Sequence, residues 1–426
     1  MPLLTDLGAA GYHLGVRLAA PFLPKARAWV DGRKGLWARL EARRDDLRGC
    51  LWMHCASVGE FEQGRPVLEA IKRERPGLPV LLTFFSPSGY EARKDFPLAT
   101  HVDYLPVDTA ANACRFMELV RPGTVLWVKY EFWHHHLRAA RTRRIPTFLI
   151  SAIFRRGQPF FRWYGSAWRR MLGCFTHLFV QDERSRALLT GIGTTNVTVV
   201  GDTRFDRVRA IVEDGSSHGQ GTGIADAFRN DHPAFVLGST WPEDEEVILA
   251  AYARLAKKPK LIVAPHELRE NQLLAIEARF PKPLVRWSEL EGTTAANIRA
   301  TLGKEATGTL LVDRMGLLAR LYTHGDVAYV GGGFSDGIHS LLEAAAWGRP
   351  VIFGPNHRKF AEAQGLIEAG AGFEVRNMED LVALLDRLFA DREELQRASE
   401  AAARFVKERT GATNIIAKTC LGSMEP

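Results

Sequence analysis

Residues 51–60, LWMHCASVGE, decide the fold of the first half of this chain. Positions 51–55 form a short apolar run rich in β-formers, which predicts a buried strand. A turn containing Ser57 and Gly59 follows, and a helical pattern occupies 63–75. A buried strand that leads through a short turn into a helix is the repeating unit of a parallel α/β sheet.

The same alternation recurs along the chain. Further apolar runs lie at 80–84, 101–105, 125–128, 147–150, 177–180 and 197–200, with helical patterns such as 110–120 between them. After a polar, linker-like stretch at 213–223, EDGSSHGQGTG, runs follow at 234–238, 261–264, 310–312, 327–330 and 351–353, and the tail at 393–418 has a helical pattern. We therefore predict an α/β protein of two doubly wound, Rossmann-like domains that face each other across a cleft.

Size and composition agree with a two-domain globular protein. The chain has 426 residues, of which 46% are hydrophobic and 25% charged, so a disordered or collagen-like chain is excluded. Five cysteines without a C-x-x-C pair are typical of reduced thiols in a cytoplasmic protein. The net charge of +7 favours acidic partners such as phosphates or anionic lipid.

The first 48 residues combine an amphipathic pattern with a run of Lys and Arg. Apolar residues recur on one helical face opposite Asp6, His13 and Arg17; they are Leu3, Leu7, Leu14, Leu18 and Phe22. No apolar run reaches the about 18 residues of a membrane span, and no signal peptide is indicated. A helix lying on an anionic membrane surface and a helix packed on its own domain both fit this pattern, and both stay open.

Candidate site residues of the first half follow its predicted strands, because ligands of open α/β sheets bind beyond the carboxyl ends of the strands. Glu60 comes after the first strand and Glu131 after the run at 125–128. Arg204 lies near the predicted domain junction, where it could neutralise a leaving phosphate. An acidic residue at a helix start, taken alone, more often only complements the helix dipole.

In the second half, GGGFSDG at 331–337 stands between a predicted strand and a predicted helix at 338–347. Glycines in that position would expose backbone N–H groups to a phosphate. The segment matches neither the dinucleotide fingerprint nor a Walker loop, so NAD and ATP are disfavoured and a nucleotide with one phosphate remains. Glu343 could bond a ribose diol, and Ser239, Thr240 and His266 follow two other predicted strands.

Two further stretches have open interpretations. His134, His135 and His136 point about 100° apart on a helix and cannot converge on one ion, so we predict no metal. The segment 154–170 holds five Arg and six aromatic residues. It suits a lipid-headgroup surface, a nucleic-acid contact, or a helix with core aromatics and solvated arginines.

In their order along the chain, these motifs resemble the 3-deoxy-D-manno-octulosonic acid (Kdo) transferases of lipopolysaccharide assembly. The motifs are SVGE at 57–60, TFFSPSG at 83–89, YLPVD at 104–108, YEFW at 130–133, SAIF at 151–154, GDTRFD at 201–206, APHE at 264–267, 331–343 and GPN at 354–356. The resemblance implies the GT-B glycosyltransferase fold and metal-independent, inverting transfer of Kdo from CMP-Kdo to a phosphorylated lipid A precursor. It also implies a peripheral or monotopic protein at the cytoplasmic face of the bacterial inner membrane that does not bind nucleic acid.

By the same resemblance Glu60 is the general base, while Glu131 and Arg204 support the transition state; the family often has Lys where Arg204 stands. The implied CMP-Kdo contacts are Ser57, Gly59, Ser239, Thr240, Pro265, His266, Met315, Gly316, Leu317, Gly332, Gly333, His339, Ser340, Leu341, Leu342 and Glu343. The expected acceptor or membrane surface is formed by Arg155, Arg156, Arg162 and Trp163. Ser340 and Leu317 depart from the family pattern, which usually has Asn and an acidic residue there.

These expectations define five segments. They are an amphipathic and basic segment at 1–48, an acceptor-binding domain at 49–212, a linker region at 213–233, a CMP-sugar-binding domain at 234–400 and a C-terminal helix at 401–426 that packs back on the first domain. Two alternatives remain: a related enzyme that uses another nucleotide sugar, and a non-enzymatic basic protein that binds a membrane surface or nucleic acid.

Overall fold

The computed structural model describes residues 2–129, 131–214 and 223–424, without the side chains of residues 2–7, 9 and 10. The chain forms two units, Met1–Arg207 with Thr410–Pro426, and Val208–Arg409. The N-terminal segment and the C-terminal helix both belong to the first unit, and the boundary lies at 207 instead of the expected 212. Eight residues of the predicted linker region 213–233, 215–222, lie outside the described residues, and a helix occupies Gly223–Arg229 of the same region.

A seven-stranded parallel sheet with helices on both faces forms the first unit. Its strands are β1 (Leu51–Cys55), β2 (Val80–Phe84), β3 (His101–Tyr104), β4 (Thr124–Val128), β5 (Thr147–Ala152), β6 (His177–Val180) and β7 (Val197–Val199). Its helices are α1 (Pro2–Ala19), α2 (Pro24–Gly32), α3 (Leu36–Ala42), α4 (Val58–Glu74), α5 (Pro87–Arg93), α6 (Ala110–Val120), α7 (His134–Thr142), α8 (Ser166–Leu172), α9 (Glu183–Thr190) and α10 (Thr203–Glu213), which crosses the boundary.

The alternation of side chains along the strands produces one core on each face of this sheet. Trp52 of β1 joins Trp127 in one buried cluster, whereas its neighbours Leu51 and Met53 join the other. The second cluster also contains Ile416, which lies in the C-terminal helix described below. Since both faces are covered, the strands are mainly apolar on both faces, as parallel strands generally are, with a few buried polar residues such as His54 and Thr83.

The strand order in the first sheet is β3-β2-β1-β4-β5-β6-β7. Connections run in one direction from β1 to β3 and in the other from β4 to β7, so the direction reverses between β1 and β4. Ligands of such sheets bind in the crevice at this reversal, beyond the carboxyl ends of the strands. Glu60 and Glu131 follow the two strands that flank it.

The second unit repeats the architecture. Its strands are β8 (Ala234–Thr240), β9 (Lys260–Pro265), β10 (Leu284–Arg286), β11 (Thr309–Leu311), β12 (Val327–Val330), β13 (Val351–Phe353) and β14 (Gly372–Glu374), in the parallel order β10-β11-β9-β8-β12-β13-β14. Its helices are α11 (Gly223–Arg229), α12 (Pro242–Arg254), α13 (Glu270–Arg279), α14 (Trp287–Leu290), α15 (Ala295–Ile298), α16 (Leu318–Leu321), α17 (Leu342–Ala346), α18 (Ala361–Glu368), α19 (Met378–Ala390) and α20 (Arg392–Lys407). The direction of connection reverses between β8 and β12.

The last helix, α21 (Ala412–Gly422), returns to the first unit and packs against α4. Asp206 caps it by accepting the backbone N–H groups of Gly411 and Thr413 at 2.6 and 2.8 Å. The tail at 393–418, which is predicted as one helix, contains parts of two helices, α20 and α21. Gly411, at a φ of 116°, provides the left-handed residue at the break between them.

The predicted pair of parallel-sheet α/β domains is confirmed, and every expected strand is present within a residue or two. The sequence pattern does not predict β10 and β14, which have three residues each and contain the charged Arg286 and Glu374. Helix α4 begins at Val58, five positions before the apolar periodicity at 63 that predicts it.

The N-terminal helix α1 contacts α2, while apolar side chains of α1 and of the turn that follows it are exposed to solvent. The Tyr12 ring lies 6.1 Å from that of Trp29, whereas Leu14, Leu18 and Phe22 are 59%, 67% and 83% exposed. Leu3, Leu7 and Asp6 of the predicted pattern lie outside the described side chains. Among the helices that the structure describes, none is long and apolar enough to cross a bilayer.

Candidate active site

Glu60 is placed by the turn from β1 into α4. Ser57, which has an extended backbone and makes no side-chain cap hydrogen bond, directly precedes the helix, so Glu60 falls in its first turn. The side chain turns back and accepts the backbone N–H of Ala56 at 2.5 Å. The carboxyl is buried, and this burial raises its pKa to about 7, opposed by the Ala56 N–H and supported by the negative charge of Glu131. A carboxyl with a pKa near neutrality can take up a proton during catalysis.

Gly59, just before Glu60, adjoins open space. A Cβ at this position would have its nearest neighbour, the Ser57 Oγ, 4.0 Å away, and its φ is not left-handed. The packing and backbone of the chain therefore leave room for a side chain here. A glycine at such a place allows a ligand to approach the backbone.

Glu131 lies at the same reversal point, after β4. Its backbone carbonyl accepts the Trp127 Nε1–H at 2.5 Å, and its Oε2 accepts the Trp133 Nε1–H at 3.1 Å. The buried His54 Nε2 lies 3.8 Å from the same Oε2. Lys129, at a φ of 60°, is in the left-handed region that disfavours side chains, and such strain is frequent at functional sites. Tyr130 of the predicted motif lies outside the described residues.

Arg204 is held close to the sheet at the start of α10. Its Nε and Nη2 both bind Asp202 Oδ2 at 2.8 Å, and its backbone N–H donates to the same carboxylate. The preceding residue, Thr203, donates to the backbone carbonyl of Gln63 in α4 at 2.6 Å, one turn beyond Glu60. These contacts fix the start of α10, and with it Arg204, against the helix that carries Glu60.

An apolar groove of about 800 Å³ lies beside Glu131 in the first unit. Aromatic side chains form much of its wall; they are Tyr12, Trp29, Phe85, Phe132, Trp133 and Trp168. Beside this wall the partly buried Arg33 stacks on the Trp29 ring at 3.8 Å and donates to the backbone carbonyls of Trp29 and Phe85. Arg138 and Arg170 also line the groove and give it cationic margins.

The three consecutive histidines have a structural role at the start of α7. Asp108 accepts the backbone N–H groups of His135 and His136 and lies 2.7 Å from His136 Nδ1. The carboxylate thus caps the helix and holds the His136 ring. Asp108 also lines the apolar groove, so this cap fixes one part of its wall.

The arginine- and aromatic-rich segment 154–170 is divided between core and surface. Phe154 and Phe160 are buried, as the core interpretation predicts for them, whereas Trp163 is 92% exposed. The three arginines expected on the surface are exposed: Arg155, Arg156 and Arg162. Trp168 and Arg170, from α8, face the apolar groove.

In the second unit, most of the expected donor residues follow four neighbouring strands, β11, β9, β8 and β12. At or beyond their carboxyl ends lie, in that order, Met315, Gly316 and Leu317; Pro265 and His266; Ser239 and Thr240; and Gly332 and Gly333. The last two strands flank the reversal point. Ser239 has a φ of 52°, a second strained non-glycine residue at a strand end.

The glycine-rich loop differs from its prediction. Helix α17 begins at Leu342 instead of 338, because Gly337 and His339 donate their N–H groups back to Gly332 and Gly331 at 3.0 and 3.2 Å. The expectation that the glycines expose their N–H groups is wrong for Gly331, Gly332 and Gly337. The Gly331 N–H donates to Gly238, and the Gly332 N–H to the carboxylate of Asp244 at 2.7 Å. The glycines instead permit close approach, since a Cβ on Gly332 would lie 2.2 Å from a backbone oxygen.

Two features of the candidate donor site in the second unit were not predicted. Asp244, fully buried in the first turn of α12, accepts from Tyr329 and Gly332 and so fixes the glycine loop. The His266 ring stacks on the rings of Trp241 and His339, with centroids 4.5 and 4.4 Å apart, and the Trp241 Nε1–H donates to His339 Nε2 at 3.2 Å. The ring contacts cannot be read from the sequence, because the three rings come from separate segments. Asp244 is not singled out either, because it is one of three acidic residues in the first turn of α12.

The segment at 340–343 offers different groups to a ligand. Leu341 and Leu342 are buried, so their contribution to binding would come from the backbone, while Ser340 is exposed. Glu343 lies near Tyr322, because burial and the Glu343 charge both raise the pKa of the Tyr322 hydroxyl. The same hydroxyl packs against Gly238, near the end of β8, where it fills the place of a Cβ. Glu343 is thus near the strand that flanks the reversal point.

Solved structures show the class of protein to which this fold belongs. The crystal structure of UDP-GlcNAc 2-epimerase from Neisseria meningitidis bound to UDP-GlcNAc is similar, with a TM-score of 0.59 over 87% of this chain and 99% of that chain, at 16% identity. The similarity concerns the fold alone at this identity. The protein has the GT-B fold of two parallel-sheet α/β domains, with a candidate site at each reversal point.

Sequence comparison gives the family. A family model described as "3-Deoxy-D-manno-octulosonic-acid transferase (kdotransferase)" matches residues 30–207. The 3-deoxy-D-manno-octulosonic acid transferase of Aquifex aeolicus is 30% identical over 82% of this chain and 89% of its own length. That of Bordetella pertussis is 29% identical over 96% of this chain and 97% of its own length. The chain belongs to the Kdo transferase family of glycosyltransferases.

Proposed function

We propose that the protein transfers Kdo from CMP-Kdo to a hydroxyl of a phosphorylated, acylated lipid A precursor in lipopolysaccharide biosynthesis. The transfer is inverting and independent of metal ions. In this proposal the first unit holds the acceptor and the base, and the second unit holds the donor.

The observation that carries the proposal is Glu60, a buried carboxyl with a pKa of about 7 at the reversal point of the first sheet. An acceptor hydroxyl is a weak nucleophile until a base removes its proton. As the hydroxyl oxygen bonds to Kdo C2, Glu60 takes its proton and the bond from C2 to the CMP phosphate oxygen breaks. CMP leaves with the electron pair, and attack opposite the leaving group inverts the configuration at C2.

One cation of the first unit, Arg204, supports the departure of CMP in this proposal. The Arg204 guanidinium, oriented by Asp202, can stabilise the charge that develops on the leaving phosphate. Because this cation is part of the chain, the proposed reaction assigns no step to a metal ion. Glu131, fixed by two tryptophan N–H groups, helps to set the proton affinity of Glu60 through its charge.

The apolar groove supports an acylated acceptor. Its aromatic wall adjoins Glu131 and can cover acyl chains, while Arg138 and Arg170 can pair with phosphate groups of the acceptor. The exposed side chains of Leu18, Phe22 and Trp163 suit the interfacial region of a membrane. We therefore propose peripheral association with the cytoplasmic face of the bacterial inner membrane.

The second unit supports binding of the donor. The rings of Trp241, His266 and His339, which contact one another, offer an aromatic surface to a base or sugar. Glu343, in the helix that follows β12, is a candidate partner for a ribose diol. Because Asp244 occupies the Gly332 N–H, the phosphate must find other donors in this unit.

Donor selection tests the proposal. CMP release from CMP-Kdo is measured with a tetraacylated, bisphosphorylated lipid A precursor, with a chelator present, and is compared with nucleotide release from UDP-GlcNAc. We expect turnover of CMP-Kdo that requires the acceptor and persists with chelator, and a product with inverted configuration by NMR. Turnover of UDP-GlcNAc alone would show a related enzyme with another donor, and turnover of neither would refute the proposed reaction.

A further inference from the structure

His54 stands in a row of side chains that crosses three neighbouring strands. The register pairs it with Thr83 of β2 on one side and with Trp127 of β4 on the other. The imidazole is 1% exposed, and its ring lies 4.6 Å from that of Trp127. The His54 ring lies next to Glu131, with its Nε2 atom 3.8 Å from Glu131 Oε2, so this row of side chains adjoins the candidate site.

The hydrogen bonds in this row bear on which imidazole nitrogen of His54 carries the proton. The Trp52 Nε1–H donates to Thr83 Oγ1 at 2.8 Å, and an indole nitrogen can only donate. The Thr83 oxygen therefore accepts this bond, and its own hydrogen needs another acceptor. His54 Nδ1 lies 3.0 Å from the Thr83 oxygen and can be that acceptor.

An imidazole whose Nδ1 accepts a hydrogen bond carries its proton on Nε2 when it is neutral. Burial lowers the pKa of His54, so the neutral form prevails at physiological pH. The Nε2 atom is buried and makes no hydrogen bond to a described residue. It faces Glu131 Oε2 at 3.8 Å, a gap that a small rotation of the Glu131 side chain would close.

We propose that His54 is a positioning residue for the proposed Kdo transfer: Thr83 fixes its Nε2–H tautomer, and the Nε2–H directs the carboxylate of Glu131. The inference rests on the proposed function. The opposite tautomer would aim an imidazole lone pair at the carboxylate and repel it. With the Nε2–H in place, Glu131 keeps the orientation in which the Trp133 N–H binds it.

The tautomer is tested directly by NMR, without any substrate. In the 15N-labelled full chain, long-range 15N–1H correlations distinguish Nε2–H, Nδ1–H and doubly protonated rings, and comparison with His54→Gln assigns the signal among the 13 histidines. We expect Nε2–H in the wild type and in Thr83→Ser, and loss of the single tautomer in Thr83→Val. An Nδ1–H or doubly protonated His54 in the wild type would overturn the proposal.

Kinetics test the consequence for catalysis. The amide nitrogen of Gln can take the place of Nε2, whereas that of Asn can only take the place of Nδ1. We expect His54→Asn to lower kcat on the order of ten- to a hundredfold, because a hydrogen-bond donor to a charged group is lost, with a smaller change in KM. His54→Gln should retain at least about ten times more of the kcat than His54→Asn. Equal kcat values for the two variants would overturn the proposal, while absence of Kdo transfer by the wild type would refute the proposed function and leave the NMR result to decide the tautomer.

Discussion

Replacing Glu60 with Gln should stabilise the protein at alkaline pH, although it removes the proposed base. Burial raises the pKa of Glu60 from 4.5 to about 7. A group whose pKa is raised by folding contributes stability that is fully present below the unfolded pKa and is lost as the pH rises through the folded pKa. Above pH 7 the folded wild type therefore carries a poorly solvated negative charge, which the unfolded chain carries in water.

The magnitude follows from the size of the pKa change. A rise from 4.5 to about 7 corresponds to about 3 kcal/mol. The Gln amide oxygen can still accept the Ala56 N–H, and the side chain has no charge to bury. The difference in free energy of unfolding, in favour of Glu60→Gln, should grow from under about 1 kcal/mol at pH 5 to about 3 kcal/mol at pH 8.

Urea unfolding of the wild type and the variant at both pH values, followed by fluorescence and circular dichroism, measures this difference. Glu62→Gln is a matched control in the same helix, because the Glu62 side chain is 32% exposed and pairs with Arg93 at 2.7 Å. This control should gain no stability at pH 8. If Glu60→Gln shows the same stability difference at both pH values, or is less stable than the wild type at pH 8, the reasoning about the buried charge is refuted.

Three further substitutions test separate parts of the account. Gly59→Ala should leave thermal stability equal or higher, because the nearest atom to a Cβ is Ser57 Oγ at 4.0 Å and Ala favours a helix by about 0.5–1 kcal/mol. A loss of kcat/KM of about tenfold or more in this variant would mark close approach of a ligand to Gly59, and full activity would exclude it. Gly333→Ala should destabilise the protein by about 1–3 kcal/mol in urea unfolding, since its Cβ would lie 2.4 Å from the backbone of Gly354, and an unchanged midpoint would contradict this packing. Trp163→Ser should change stability by less than about 0.5 kcal/mol while weakening co-sedimentation with anionic vesicles, because the indole is 92% exposed; unchanged co-sedimentation would remove Trp163 from the membrane surface.

Much of the fold could be predicted because local signals and the sheet architecture agree. The run at 51–55 is apolar except for His54 and is buried on both faces, as is typical of a central parallel strand, and the following Ser57 can begin a helix. The predicted helix at 338–347 starts four residues before the observed α17, which begins at Leu342. Apolar spacing does not show that the N–H groups of Gly337 and His339 donate back to the glycine loop. Backbone hydrogen bonds inside a loop leave no periodic trace in the sequence.

The candidate site was predictable where it depends on strand order. Glu60 and Glu131 follow strands that are neighbours in the sheet, so topology alone brings them to one end. The contact of His54 with Thr83 depends on register between strands, and the burial of Asp244 depends on which of three adjacent acids faces the glycine loop. Neither can be read from spacing along one chain.

The most direct test of the central claim is the rate of acceptor-dependent CMP release from CMP-Kdo by the wild type and by Glu60→Gln, as a function of pH. The account predicts that the wild-type rate rises with pH through about 7, as Glu60 loses its proton. Glu60→Gln should be slower on the order of a hundredfold or more while binding CMP-Kdo as the wild type does. Equal rates of CMP release by the two proteins, at a pH where Glu60 is ionised, would contradict the claim that this carboxylate is the base.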